Sequence, residues 1–499
     1  MPTTIDQDYF SDAYEQYCEV VQTLSTEESQ TWEHGEVERT INRLGTELLR
    51  RLFQGHLDCR YASESYQSDV QGSDGELRPH RRKHTARKLE TLFGEVVVSR
   101  VGYSTQQPDV SALYPSDGHL NLPTDKYSDE LRRRVAEEAS KVSFSETSST
   151  IAQTTGGAVG KRQCEEVTVK VAQDFEAFYA QRSGQRTAAS DDLLVLTTDG
   201  KGIVMHSADL RAATAKAAAQ SPPSPQVRLS PGQKRQRKRM STVAAVYHVP
   251  RYSRSAEDII GDSREPPPRP AIQDKRVWAS VEQTAQQVIA SAFAEALSRD
   301  PKQQREWVVL VDGEAHQLNT LKATAKQHSL QVTIVLDFIH VLEYVWKAAF
   351  CFFPVGSEAA QTWVQERALR ILKGQASDVA AGIRRSATLR QLSTKTRENA
   401  DKCADYLLKY RPYLRYDQYL AKGYPIASGI IEGACRHLVS DRMDITGARW
   451  RLDRAEAVLR IRALRASHDF DEYWQFHKIQ EFKRNHFSKF QDPERFLCA

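Results

Sequence analysis

Four carboxylates stand where a chain could use them for chemistry. Asp199 closes the apolar run DLLVLTTDG (192–200), Asp312 closes WVVLVDG (307–313) and Asp337 closes QVTIVLD (331–337). Glu432 lies in SGIIEGACRHL (428–438), between Gly429 and Gly433. An Asp at the end of a buried strand is exposed yet held on a rigid element, and open α/β sheets gather their ligands outside such ends. Each has a local explanation as well. Asp-Gly is a common turn signal, and a Glu in a first helical turn, with Arg436 four residues on, suits the helix dipole and can form an i,i+4 pair. Three strand ends in one expected sheet, with a fourth carboxylate at a core edge, point instead to a shared role. Converging carboxylates without a His/Cys cluster suit hard, oxygen-seeking ions, Mg²⁺ or Mn²⁺. Two such ions about 3.5–4 Å apart activate a water or hydroxyl and stabilise the leaving oxygen of a phosphodiester.

The elements around these residues follow from apolar periodicity. Residues 192–200, 241–249, 276–281, 307–313 and 331–337 read as strands, and 282–297 and the segment after Gly313 as helices. Strands first, then strand alternating with helix, means a sheet of mixed direction. Residues 338 to 423 read as helical throughout. In the Glu432 segment Ile431, Ala434, Cys435 and Leu438 form the buried stripe, and Ser428 is the expected N-cap. Asp337, His340, Tyr344 and Lys347 share one polar face of a helix otherwise lined by Phe338, Val341, Leu342 and Val345. That face either serves the carboxylates and a nucleic acid or forms an internal hydrogen-bonded network.

Upstream, residues 1–60 read as helical, with Val37, Ile41, Leu44, Leu48 and Leu52 in one stripe. Residues 61–80 read as a loop and 88–103 as a hairpin about Gly94. Three helical patterns fill 126–180. The first opens at Ser128, the second opens with the Ser143/Glu146 capping box and stops at Gly156–Gly157, and the third carries Lys161, Arg162 and Gln163 in its first turn. This is a helix-turn-helix pattern, with a plain helical hairpin as its competitor.

Composition narrows the class. A chain of 499 residues exceeds one ordinary core. No apolar run approaches the roughly 18 residues of a membrane span, and the N-terminus lacks a signal-peptide pattern, so a cytoplasmic protein is expected. The seven cysteines form no C-x-x-C pair, which argues against a zinc ribbon. The formal charge is only +4, yet basic residues cluster at 78–88, at 234–239 and from Arg436 to Arg465. Such clusters suit a polyanion or are ordinary solvated faces. In YLLKYRPYLRYDQYL (406–420) tyrosines alternate with Lys409, Arg411 and Arg415; most of these aromatics are expected to pack a helical core, and one beside the two arginines to stack on an unpaired base.

The order TTDGKG, VLVDG, D-x-x-H and PIASGIIEGACRHL resembles bacterial DDE transposases. Together with FGEVVVSRVGY, LNLP, YSDELRRRVAEEAS, KRQ, LDFIHVLEYVWKAA and SGIIEGACRHLVSDRMDITGARW, it is most similar to the Kra-type insertion-sequence family, related to mutator-type transposases. The resemblance implies an α/β catalytic core of ribonuclease-H-like type (mixed sheet flanked by helices), an all-α insertion and an N-terminal α+β DNA-binding region. It implies Asp199, Asp312 and Glu432 as the catalytic, Mg²⁺- or Mn²⁺-binding triad, with Asp337, His340 and Arg436 beside it or near DNA; spacing alone does not choose between Asp312 and Asp337 as the second Asp, and Asp337 stays open as a direct ligand. Lys161, Arg162, Gln163, Arg411 and Arg415 are the expected DNA contacts. The activity implied is cleavage at insertion-sequence ends and their joining to target DNA. The partners implied are terminal inverted repeats and target DNA, without a membrane, in a homo-oligomer formed on DNA ends, nucleoid-associated in a bacterial cytoplasm. The segments expected are 1–60 helical, 61–125 basic hairpin, 126–182 helix-turn-helix, 190–340 first part of the core, 341–423 helical insertion and 424–499 the Glu432 helix with the C-terminal helices. The paired cysteines that some relatives carry after the hairpin are missing from YSTQQPDVSALYP, so zinc is not expected there. A junction-resolvase-type nuclease and a non-catalytic DNA-binding protein derived from a transposase are the alternatives.

Overall fold

The computed structural model describes residues 7–182, 191–220, 237–261, 269–445 and 447–497. Within them the chain forms two compact units, residues 1–178 with 469–499, and residues 179–468.

The first unit is built on a long helix, His34–Ala62, and a hairpin of β1 (His80–Thr91) and β2 (Gly94–Ser104). Leu57 of the helix packs with Leu89, Val96, Val98 and Leu122. Along the stripe expected to face a core, Leu44 is buried but Ile41 and Leu52 are exposed. The hairpin begins eight residues earlier than its Val-rich centre suggests, so the basic run from His80 is strand rather than loop. A bulge between Arg82 and Thr85 absorbs the one extra residue of β1. Arg81, Arg82 and Lys83 are exposed, whereas Arg78 is buried and ion-paired with Asp74.

Helices Asp129–Ala139, Phe144–Thr154 and Lys161–Val171 follow. The Ser143/Glu146 capping box forms; Ser128 precedes its helix without capping it through its side chain. Gly156 and Gly157 are there because the hairpin tip presses on them. A Cβ on Gly156 would stand 2.5 Å from the carbonyl oxygen of Phe93, and one on Gly157 2.3 Å from that of Thr91. Gly156 N–H donates to Leu92 O at 2.7 Å. The turn between the two helices and the turn of the hairpin are therefore one packed corner. Helix Phe470–Asn485 completes this unit. Its Glu481 receives the buried Arg132 guanidinium, and Asp174 pairs with His477 (2.7 Å) and Arg484 (3.0 Å). The tail that sequence order attaches to the Glu432 helix thus packs with the N-terminal elements.

The second unit holds a five-stranded sheet, β3 (Leu193–Val204), β4 (Lys238–Val249), β5 (Gln273–Ser280), β6 (Trp307–Val311) and β7 (Val332–Leu336), in the order β5-β4-β3-β6-β7. β3, β4 and β5 are antiparallel, and β6 and β7 run parallel to β3. The mixed α/β sheet flanked by helices is as expected. β3 differs in one respect: it does not stop at Asp199-Gly200. It pairs with β4 along its whole length, Asp199 opposite Val243, because the antiparallel ladder continues where the parallel one ends. From Phe338 to Ala421 all regular structure is helical, as expected. No helix among the described residues is long and apolar enough to cross a membrane.

Candidate active site

Strand register assembles the centre. β3 and β6 pair in parallel up to Thr197 opposite Leu310, so the next two residues bring the chain to Asp199 and Asp312 side by side. β6 and β7 pair up to Val311 opposite Leu336, which places Asp337 next to Asp312. Glu432 arrives from the short helix Gly429–Ala434. Its neighbours Ile431, Ala434, Cys435 and Leu438 are all buried, and Glu432 itself is exposed. Nothing lies within 4 Å of where a Cβ would stand on Gly429 or Gly433, so this face of the helix is open to an incoming molecule. Beyond it, Cys435–Ser440 widens to π-helical geometry, a departure often found near functional residues.

The charges interact. Burial pushes the Asp312 carboxyl up, and the charge of Asp199 adds to it, against the N–H bond from Glu314 and the pull of His340. Glu432 is also pushed up, first by burial and then by Asp337, with Asp199 and Glu343 contributing and His340 opposing. Cys435 Sγ lies 3.2 Å from Asp199 Oδ2, and burial and that carboxylate raise its thiol well above the usual range. Carboxylates that repel one another at a half-open place are the setting in which a cation binds. Among the described residues, no group of three His, Cys, Asp or Glu side chains is close enough to hold an ion by itself. Mg²⁺ is ordinarily bound by one or two carboxylates plus substrate phosphates rather than by an all-protein cage. Asp199 and Asp312, which the strand register sets side by side, offer two such carboxylates.

The D-x-x-H face resolves residue by residue. Asp337 is fully buried. Its Oδ1 caps helix Phe338–Ala349 by accepting from Ile339 N–H (2.6 Å) and His340 N–H (3.4 Å), and its Oδ2 accepts from Ser428. Both oxygens are occupied, so the structure gives Asp337 no free lone pair to turn toward an ion. His340 is half-buried, with Nε2 4.0 Å from Asp312 Oδ2. Tyr344 stacks on Tyr406 at 3.9 Å and 12°, and Lys347 is exposed over the Tyr344 ring. Arg436 does not pair with Glu432; its guanidinium is exposed, 3.8 Å from Asp441.

Four tyrosines of the helical block are core, as expected of most of them, and their hydroxyls have a further task. Tyr406 donates to Asp312 O (2.9 Å), Tyr410 to Gly313 O, Tyr416 to Leu336 O (2.8 Å) and Tyr419 to Ile334 O (3.3 Å). All four are buried, which removes them as platforms for a base. They bond carbonyls of β7 and of the turn that follows β6. Gly313, at φ +93°, forms the turn after Asp312, where a side chain would crowd Leu336 and Tyr406. Arg411 and Arg415 are exposed on the same block. Lys161 and Arg162 are exposed and Gln163 is half-buried at the start of their helix, in the first unit.

Of the basic clusters, residues 234–236 lie outside the described residues. Between Arg436 and Arg465 several cations turn inward: Arg442 is buried, and Arg462 donates to Leu438 O at 2.8 Å. Sequence reasoning took Cys435 for core alone and Ser428 for an N-cap. Nothing but their spacing of three and four from Glu432 marks either as part of the centre. No family model matches the chain, and no curated protein matches it significantly.

Proposed function

We propose that this chain is a DDE-type DNA transposase, which cleaves at insertion-sequence ends and joins them to target DNA. One observation carries the reading: the parallel register of β3 and β6 sets Asp199 beside Asp312, and Glu432 lies close enough to Asp199 to feel its charge. The mixed sheet, followed by a helical block that separates Asp337 from Glu432, agrees with a ribonuclease-H-like core carrying an all-α insertion. Asp199, Asp312 and Glu432 would hold Mg²⁺ or Mn²⁺. The ion, when bound, supplies a more acidic water or hydroxyl and charge stabilisation on the departing oxygen.

The protein's own contributions are positional. β3 and β6 fix two carboxylates on rigid elements, and Tyr406 and Tyr410 hold the Asp312 turn. Gly429 and Gly433 leave a smooth approach beside Glu432. Lys161, Arg162 and Gln163 read the element end, and Arg411 and Arg415 hold the strand near the cut, each from its own unit. A homo-oligomer on paired ends, in a bacterial cytoplasm, completes the reading.

The test is incubation of purified protein with Mg²⁺ and duplexes taken from the DNA flanking the gene. Cleavage at a defined end and joining to a second duplex are expected, with scrambled ends inert. Cutting of four-way junctions without end joining would assign the centre to a resolvase-type nuclease, and specific binding without any cutting would leave a DNA-binding protein.

A further inference from the structure

We propose that Asp337 and Ser428 form a positioning clamp that sets where Glu432 stands, and that Asp337 serves the centre through this clamp rather than as a metal ligand. The proposal rests on reading Asp199, Asp312 and Glu432 as a metal-binding centre.

Glu432 has a positioning problem. Asp199 and Asp312 are fixed by neighbouring strands. Glu432 reaches them from the first turn of a helical run that follows the whole helical block, Gly429–Ala434 continuing as the π-helical Cys435–Ser440 and then Asp441–Met443. The N–H groups of a first turn have no intrahelical partners, so that turn frays unless something outside it fixes it. The two glycines that open its face weaken it further. Ser428, the residue before the helix, makes no side-chain cap to it. Its hydroxyl and its N–H (2.6 Å) both go to Asp337 Oδ2 instead. Ser428 O in turn accepts from Glu432 N–H at 3.2 Å. One continuous set of bonds therefore runs from the end of β7 to the residue whose carboxylate must be placed.

The other end of the clamp is equally fixed. Asp337 N–H donates to Val311 O at 2.7 Å, which ties it to the residue before Asp312. Phe338 N–H donates to Ile426 O at 2.8 Å, a second link to the segment leading into the Glu432 helix. Asp337 Oδ1 meanwhile starts the helix that carries His340 toward Asp312. A single buried residue thus joins the strand end before Asp312, through its N–H, to the helix of His340 and the segment of Glu432, through its carboxylate. Asn in its place would turn an N–H₂ group toward donors. Ala would leave three N–H groups and a hydroxyl without their acceptor in a dry place, at a large cost to the fold. The deciding variants are therefore at Ser428, where the backbone bond survives.

The experiment measures Mn²⁺ binding to the full-length protein by calorimetry, beside its thermal midpoint and circular dichroism. Glu432→Gln serves as the reference loss. Ser428→Ala is expected to weaken Mn²⁺ binding by about tenfold, the scale of a lost outer hydrogen bond to a metal-site group, while the protein stays folded. Ser428→Thr, which keeps the hydroxyl, is expected to restore most of it. A purely structural serine would lower the midpoint without moving ion affinity. The clamp is overturned if Ser428→Ala binds Mn²⁺ as the unaltered protein does while Glu432→Gln does not. If Glu432→Gln also binds normally, the metal centre itself is misassigned and the clamp falls with it.

Discussion

His248 gives the central sheet a pH limit that can be calculated. It lies on β4 opposite Leu194, fully buried, and neither ring nitrogen has a hydrogen-bond partner. Burial is the largest influence on it. Arg299 and Arg305 add to that, Asp274 and Asp300 oppose, and the imidazole titrates at about 4 instead of 6.5. The sign follows from which state takes the proton. Below pH 6.5 the unfolded chain protonates this residue, and the folded protein refuses the proton until about pH 4. Stability from this residue is therefore complete above pH 6.5 and is lost as the pH falls toward 4. The gap between the two values, at about 1.4 kcal/mol per tenfold, is worth about 3 kcal/mol. His248→Leu removes the titration and two unsatisfied polar atoms. We expect it to be within about 1 kcal/mol of the unaltered protein at pH 7.5, and more stable by about 3 kcal/mol near pH 4.5. Urea unfolding followed by tryptophan emission, to which Trp278 and Trp307 of the same sheet contribute, measures both at each pH. Parallel stability curves for the two proteins from pH 7.5 to 4.5 would refute the reasoning.

Neutralising Asp199, Asp312 or Glu432 to its amide should abolish strand cleavage with DNA binding nearly intact, and raise the metal-free melting midpoint because repulsion is relieved; a gel assay and a melting curve without divalent ions check this, and full cleavage by a variant would remove that residue from the centre. Changing Gln163 should alter sequence preference, whereas Lys161→Ala should weaken all duplexes alike and lower the salt slope by about one, read by binding isotherms at several salt concentrations. Substituting Arg411 and Arg415 should reduce cleavage of paired ends more than of pre-frayed ends, and equal losses on both would return these residues to ordinary surface. Tyr406→Phe should destabilise the protein by about 1 kcal/mol and slow cleavage, because Asp312 O loses its donor while the ring still packs; an unchanged cleavage rate would show that the Asp312 turn holds without it.

The sheet was legible because its strands are short apolar runs with a buried face, and burial is what sequence periodicity reports. All five strands stand where the runs are. The extent of β3 was not legible, since Asp-Gly reads as a turn until β4 is known to continue beside it. The same limit applies to the site. Asp199 and Asp312 could be picked out as polar residues interrupting apolar runs. Ser428 and Cys435 could not, because their partners, Asp337 and Asp199, lie far away in sequence and no local pattern records such a pairing. The tyrosines were visible as a group and expected to be mostly core, as Tyr406, Tyr410, Tyr416 and Tyr419 are; what their hydroxyls bond to was not legible. Alternation with cations describes their neighbours in the chain, whereas their hydroxyls are aimed at carbonyls on β7 and in the turn after β6. The clash that makes Gly156 and Gly157 necessary was likewise invisible, because it comes from the hairpin tip.

The row from Tyr406 to Tyr419 bears on how this chain can be cut and recombined. A helical block lying between the last strand of a sheet and the helix that carries Glu432 invites treatment as a cassette, to be shortened, exchanged or expressed alone. Here four of its side chains complete the backbone of the strands beneath it. Removing the block would leave the carbonyls of Ile334, Leu336, Asp312 and Gly313 without these donors, two of them in the turn that presents a carboxylate. A foreign block would have to bring hydroxyls to the same four places. The boundary between sheet and helical block is a boundary in sequence only. An engineered version that respects the molecule should keep residues 406–419 with the strands they finish, and make its changes farther out among the preceding helices.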